Sequence, residues 1–474
     1  NYDQQWKTVA DFEQKSLPKS ASQEVNNILK QAVADKNSPQ VIKALIHQGK
    51  YDLVLDAECD TTIFQNLHSM LEKSANTVEK SVLHSMLGEL YLQYYQNSRW
   101  EIDERTELKG FVPQDMKEWT RDIFFDKVVE HLNASVASRK ELENAQVETF
   151  AAVVELGKDS RRFYPTMYDF LALRAIEFYK EIEGDLDLSR SLATKNISPK
   201  ELFVSANEFV KLNFNPQPEE YNLWALETYK KHLTSLLDRK MHSSALLTDL
   251  KRIDYLRKLR NAHDIYTLPL LKSMLQEWEE EPISVEIVDD IAGFCQNDFS
   301  KTKELYELLQ STVHKFPKYE RISMIENRIY RLTESRLTVE GDNTFAKKSD
   351  KKLTVKYQNL KKLSAKLYRL HTPFSPAYRN SSEQQKNEVK TFIRTIQIPL
   401  PQKPPYESAE TDFTIDISDF GTYKLEFESE PTNQKENEQT GFYFSVSDLA
   451  VFSRLSAKET YEFFAVNRTT GEPI

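Results

Sequence analysis

Glycine is nearly absent from this chain, with ten residues in 474 against a usual share of about 7%. Loops that cradle phosphates or dinucleotides need glycine clusters, because only a backbone without Cβ lets N–H groups close around a pyrophosphate. No such cluster occurs, and neither does a GxSxG, an HExxH or a P-loop. Cysteine is scarcer still. Cys59 and Cys295 stand alone, far apart and in no CxxC pair, which leaves open two buried thiols or a disulfide. The nine histidines are scattered and show no metal-ligand spacing. No run approaches the roughly 18 consecutive apolar residues of a membrane-spanning helix. Positive charge is outnumbered, 63 Lys and Arg against 73 Asp and Glu for a net charge of −10, which argues against a nucleic-acid binder. The start, "NYDQQWKT", shows neither an initiator Met nor an apolar signal segment. These absences name no catalytic residue, no metal ligand and no cofactor, and the chain reads as non-enzymatic.

What is present, from about Asp11 to Arg336, is a helical apolar period almost without a break. Helix starts recur. "SPQVIKALI" sets Ser38 at an N-cap and Pro39 at the first helical position, and "SPKELFVSA" repeats this with Ser198 and Pro199, adding Glu201 for a capping box. The period predicts about a dozen helices, among them Ser20–Asp35, Val78–Gln96, Pro165–Glu181, Gln217–Asp238, Ser243–Arg260 and Tyr319–Arg336. Short connections make consecutive helices antiparallel neighbours, so residues 1–340 are expected to form an irregular α-α superhelix, or solenoid, of helical hairpins. "LGELY" (Leu87–Tyr91) matches a fragment of the tetratricopeptide consensus, in which the glycine lets two helices approach. The period of that repeat is not sustained.

At "TVEGDNTFAKKSDKK" (338–352) small and charged residues suggest a linker, and the apolar period then falls to two. Leu353, Val355 and Tyr357 alternate, as do Phe413, Ile415 and Ile417, then Tyr423, Leu425 and Phe427. Further strands are predicted at Leu363–Leu370, Thr391–Leu400 and Gly441–Val446, with the Pro-rich "PLPQKPP" (399–405) as a rigid joint between two of them. Residues 345–445 are thus expected to form an antiparallel β-sandwich. Beyond 446, "YEFFAV" (Tyr461–Val466) reads as a strand and Thr469–Gly471 as a tight turn, with Pro473-Ile474 starting a return partner.

Some side chains invite a functional reading. His68 and His84 lie among apolar neighbours on predicted helices, a structural setting. Tyr91, Tyr94 and Tyr95 fall at i, i+3 and i+4, a packing seam on one helix face, although with Arg99, Trp100 and Arg105 the stretch also resembles a ligand platform. "EWEEE" (277–281) suits a solvated helix end. The lysines of 347–366 are expected to guard an edge strand, or to steer an acidic partner. Pro165–Tyr179, "PTMYDFLALRAIEFY", is apolar around most of its circumference, so it is expected at the centre of the helical region. Phe170 and Tyr179 would be enclosed, Asp169 would face the free N–H groups of the helix start, and Arg174 would pair with a carboxylate or with carbonyl groups.

Three stretches taken together resemble one family. Leu17–Ala21 within "WKTVADFEQKSLPKSASQEV", Tyr94–Trp100 and Pro165–Ala172 look like recurring motifs of the N-terminal region of bacterial, Bacteroidetes-type α2-macroglobulin-like proteins. Leu173 departs from that pattern, since the relatives often carry His there. In the β half, "VKYQNLKKLSAKLYRL" (355–370) resembles the opening strands of a macroglobulin domain, and "SVSDLAVFSRL" (445–455) followed by "AVNRTTGEPI" resembles the entry to the next. The resemblance implies a macroglobulin-like domain over 345–445, the start of a further one over 446–474, and a protein longer than this chain. It further implies an endopeptidase inhibitor that traps proteases, periplasmic or at the cell surface, lipid-anchored through a segment preceding Asn1. Its partners would be proteases, bound through the full-length protein, and proteins of the cell envelope. The family's thioester needs a Cys-x-Glu-Gln motif, and neither "ECDT" around Cys59 nor "FCQN" around Cys295 fits. Bait and thioester are therefore expected elsewhere, with residues 1–474 acting as scaffold and docking surface. The alternative is a helical cell-surface lipoprotein that binds glycans or proteins; it calls for long Gly/Asn-rich loops, which this composition does not supply.

Overall fold

The computed structural model describes residues 1–55, 60–106, 110–183, 197–259, 264–295, 299–371, 388–431, 440–455 and 461–474. The chain divides into two compact units, Asn1–Glu279 and Glu280–Ile474. In the first, the longer helices are α1 (Tyr2–Gln14), α2 (Pro18–Ala34), α3 (Ser38–Leu55), α4 (Asp60–Lys73), α5 (Thr77–Asn97), α6 (Arg121–Ser135), α7 (Met167–Glu183), α8 (Tyr221–Asp238), α9 (His242–Leu259) and α10 (Asp264–Glu277).

Three of the hairpins between them are closed without glycine. Ser16, Lys36 and Lys240 take the left-handed conformation at φ of 56°, 55° and 58°, just past α1, α2 and α8. In each, the following N–H reaches back five residues, as in Leu17 N to Phe12 O at 2.9 Å, Asn37 N to Ala32 O at 2.9 Å and Met241 N to Leu236 O at 2.9 Å. This is the Schellman closure, normally a glycine position, and it explains how so glycine-poor a chain still turns. Asn37, not Ser38, caps α3, its Oδ1 accepting from Gln40 N at 3.3 Å. The expected capping box at Ser198 and Glu201 forms, but it closes only the single turn Pro199–Leu202. Consecutive helices pack on one another. Val9, Ala21, Val25, Ile28, Ala44 and Tyr51 make one core for α1–α3. Gly88 lets α5 close on α6, where a Cβ would come within 3.1 Å of Leu132 Cδ2. Helix α7 packs against α5, α6 and α8.

The second unit opens with α11 (Ser284–Cys295), α12 (Thr302–Lys315) and α13 (Ser323–Leu332), then runs through β1 (Arg336–Gly341), β2 (Thr344–Phe345), β3 (Lys352–Gln358), β4 (Leu360–Leu370), β5 (Lys390–Ile398), β6 (Ser408–Thr414), β7 (Gly421–Pro431), β8 (Thr440–Val446), β9 (Leu449–Leu455) and β10 (Tyr461–Asn467). One sheet has the order β1-β3-β6, a second β2-β8-β7-β4-β5, and β9 pairs with β10 alone. All pairs are antiparallel except β2 with β8. The larger sheets share one hydrophobic core, to which β3 gives Leu353 and Val355, β4 gives Leu363 and Leu367, and β7 gives Leu425 and Phe427. The period-two residues are thus the ones that face inward.

Two expectations need correction here. The helix expected to reach Arg336 ends at Leu332, and Arg336 opens β1. The stretch expected to be a linker at 338–352 holds β1 and β2, and every β1 residue pairs with β3. The compact units divide at Glu279/Glu280, and within the second the end of α13 is tied to the sheet: Gln358 Nε2 donates to Leu332 O at 2.6 Å and Asn359 Nδ2 to Thr333 O at 2.5 Å. At the other end, the chain does turn at Gly471, φ 76°, and Pro473 bridges Val466.

Candidate functional site

Helix α7 begins over a buried polar cluster. Asp169, fully buried, accepts from Thr166 N at 3.1 Å and Thr166 Oγ1 at 2.7 Å, which caps the helix start as expected. It also receives both terminal nitrogens of Arg239, at 2.5 and 3.3 Å, and His232 Nε2 lies at 3.0 Å. Burial alone raises the Asp169 carboxyl, but hydrogen bonds from His232 and Arg239 outweigh it and hold the group at about 2. A carboxylate only accepts, so Nε2 carries the His232 proton. The other nitrogen, Nδ1, has no partner among the described residues. Burial keeps His232 below its ordinary range. The pair resembles a catalytic dyad, yet both side chains are wholly buried.

A second cluster joins α4, α5 and α6. His84 Nδ1 and His131 Nδ1 lie 2.8 Å apart and His68 Nε2 lies 2.9 Å from Tyr91 Oη, while the His68 and His131 rings are 5.5 Å apart. Burial lowers all three histidines, His131 to about 4. His68 and His84 are thus packed as expected; His131, the most buried, went unnoticed in the sequence. Tyr91 and Tyr95 are buried, with Tyr91 stacked on His131 and Tyr94 on Phe124, so the tyrosines form a seam. Trp100, 88% exposed, stands apart from it. Arg105 donates to Trp119 O at 2.6 Å and Arg99 pairs with Asp103 at 3.4 Å.

Elsewhere the side chains singled out from sequence resolve into structure. Tyr179 is enclosed and donates to Asn133 Oδ1 at 3.2 Å. Phe170, expected to be enclosed, is only half-buried, because α7 turns that edge outward. Arg174 pairs with Glu89 and Ser85 Oγ, as expected of a cation in that place. Glu280 pairs with Lys315 at 3.0 Å. Most lysines of 347–366 guard no edge. Lys352, Lys356, Lys361, Lys362 and Lys366 lie on β3 and β4, both interior strands, and make cross-strand pairs such as Lys352–Asp412 at 2.6 Å and Lys356–Glu340 at 2.7 Å, while Lys351 turns inward to Lys347 O and Ser349 O. Cys295 is buried, and Cys59 lies outside the described residues.

The β9–β10 hairpin has the character of a docking surface. Its register sets Leu455 opposite Tyr461, Ser453 opposite Phe463 and Val451 opposite Ala465 on one face. On that face Leu449, Val451, Leu455, Tyr461 and Phe463 are all exposed, Phe463 at 70%. Phe452 and Phe464 are exposed on the other, beside the Arg454–Glu462 pair at 2.7 Å. Strands β3, β4 and β7 each bury one face; on these two only Ala450 is buried. No family model matches the chain, and no curated protein matches it.

Proposed function

We propose that residues 1–474 are the N-terminal scaffold of a large α2-macroglobulin-like endopeptidase inhibitor, non-catalytic and extracytoplasmic, held at the membrane by a lipid anchor. In this reading the helical hairpins build an α-α superhelix that offers a docking face, and the two larger sheets, which share a core, form a macroglobulin-like β-sandwich. The bait segment and any thioester lie outside these residues.

The observation that carries the reading is the β9–β10 hairpin. A two-stranded sheet is marginal in water by itself, and contiguous exposed apolar surface marks an interface. Both faces of this one present aromatic and aliphatic side chains, as the opening strands of a further β-sandwich domain would before the rest of that domain covers them. The test is incubation of the native full-length protein with an endopeptidase. A trap leaves hydrolysis of small peptide substrates intact and abolishes hydrolysis of large proteins. Equal loss against both, which means a blocked active site, or loss against neither, would overturn the proposal.

A further inference from the structure

Within the second unit, helices α11–α13 and one end of the β1-β3-β6 sheet line an open cleft of about 710 Å³, a volume in the range of ligand sites. Its lining holds Lys303, Arg328, Arg331 and Arg336 against a single carboxylate, Glu407. In a chain of net charge −10 this convergence of cations is unexpected, and like charges held together cost stability unless something offsets them.

The protein itself offsets little. Arg328 Nε pairs with Asp289 at 2.5 Å, and its guanidinium lies over Gly293, where a Cβ would come within 3.3 Å of Nη2. Arg336 has only a loose contact, 3.7 Å to Glu334. Arg331, one turn beyond Arg328 on α13, and Lys303 make no ion pair or hydrogen bond among the described residues. The floor, by contrast, is fixed. Arg336, Gln358 and Ser408 stand in register across β1, β3 and β6. The Gln358 amide donates to Leu332 O at 2.6 Å and Pro405 O at 3.0 Å, and accepts from Ser408 Oγ at 3.2 Å. Leu305, Leu309 and the Tyr406 ring, 4.9 Å from Tyr306, add an apolar wall.

We propose that this cleft is a binding site for a ligand with two or more oxyanion groups, carboxylate or phosphate, on a body that meets the apolar wall. Guanidinium forks match such groups in bidentate geometry, and a fixed floor lowers the ordering cost of binding. The oxyanions come either from a free small polyanion or from an acidic stretch of peptide.

Calorimetric titration of the full chain at low salt with citrate, pyrophosphate and a hexaglutamate peptide tests this and separates the two sources. At least one probe is expected to bind one-to-one, with a dissociation constant below about 1 mM. Citrate or pyrophosphate binding tighter identifies a free polyanion, and hexaglutamate binding tighter identifies an acidic peptide. Arg331→Gln and Arg336→Gln are each expected to weaken binding about tenfold. Both side chains are exposed, so melting temperatures should hold. Lys362→Gln, an exposed lysine of β4, should leave binding unchanged. No binding of any probe at about 10 mM, binding indifferent to both arginine variants, or equal weakening by Lys362→Gln overturns the proposal.

Discussion

Asp169 shows what one residue does here. Its carboxylate ties the start of α7 to α8 through Arg239 and His232, so one side chain caps a helix and joins two. Removing the charge leaves Arg239 only Glu143 at 3.9 Å and Ser235 O at 3.3 Å, and breaking a buried pair typically costs about 3–5 kcal/mol. Asp169→Asn is expected to lower stability at pH 7 by that amount, measured by urea unfolding with the slope unchanged. The dependence on pH follows from the depressed carboxyl. With the folded group at about 2 and the unfolded one near 3.9, its contribution is complete above about pH 5. It fades as pH falls toward 2. The gap between wild type and variant should therefore narrow across that window. A gap that stays constant from pH 6 to 3 would mean that Asp169 contributes through its shape alone. The sequence pointed Asp169 at the helix start, because position within a helix is local information. It gave no sign of Arg239, whose contact is fixed only when α7 and α8 pack.

At the scale of elements, periodicity was the legible quantity. Helices α2, α5 and α9 lie within two residues of their expected limits, and β3, β4 and β8 bury the residues that alternate. What escaped was pairing across elements. His84 and His131 are far apart in the chain, and nothing near His131 in sequence announces its partner. The lysines of β3 and β4 were misread for the same reason, since interior and edge strands differ only in their neighbours. The histidines that join α4, α5 and α6 make this packing sensitive to acid. Burial holds the folded histidines neutral, His131 down to about 4, while unfolded histidine takes its proton near 6.5. Below that value the unfolded chain binds more protons than the folded one, so stability falls as pH drops from 6.5 toward 4 and levels off beneath. Each histidine kept neutral contributes about 1.4 kcal/mol per pH unit. His131→Gln, which keeps a hydrogen-bonding group beside His84, should flatten the decline between pH 6.5 and 4.5. An unaltered slope in urea titrations would show that His131 protonates freely within the fold.

For the whole molecule, the order of helices before strands could be read from the change of period. Composition shifts where secondary structure shifts, at about 338, and a boundary drawn there cuts through β1 and separates α13 from the sheet. The ties across that point are specific. Gln358 and Asn359 hold the carbonyls at the end of α13, Ser335 Oγ donates to Asn359 O at 3.0 Å, and Tyr306 of α12 meets Tyr406. Leu337 and Val339 of β1 pack on the core the two sheets share. Three fragments separate the alternatives. Residues 1–279 and 280–474 should each unfold cooperatively in urea, the first with a helical far-ultraviolet spectrum and the second with a mixed one. Residues 345–474 lose β1, so β3 becomes an edge strand and the core opens where Leu337 and Val339 sat. Burial of those two side chains supports a loss of at least about 2 kcal/mol relative to 280–474, together with exposed backbone groups that invite association. If 345–474 unfolds at the same urea concentration as 280–474 and stays monomeric, α11–α13 and β1 do not belong to the folding unit of the sheets, and the boundary returns to the point where the helices end.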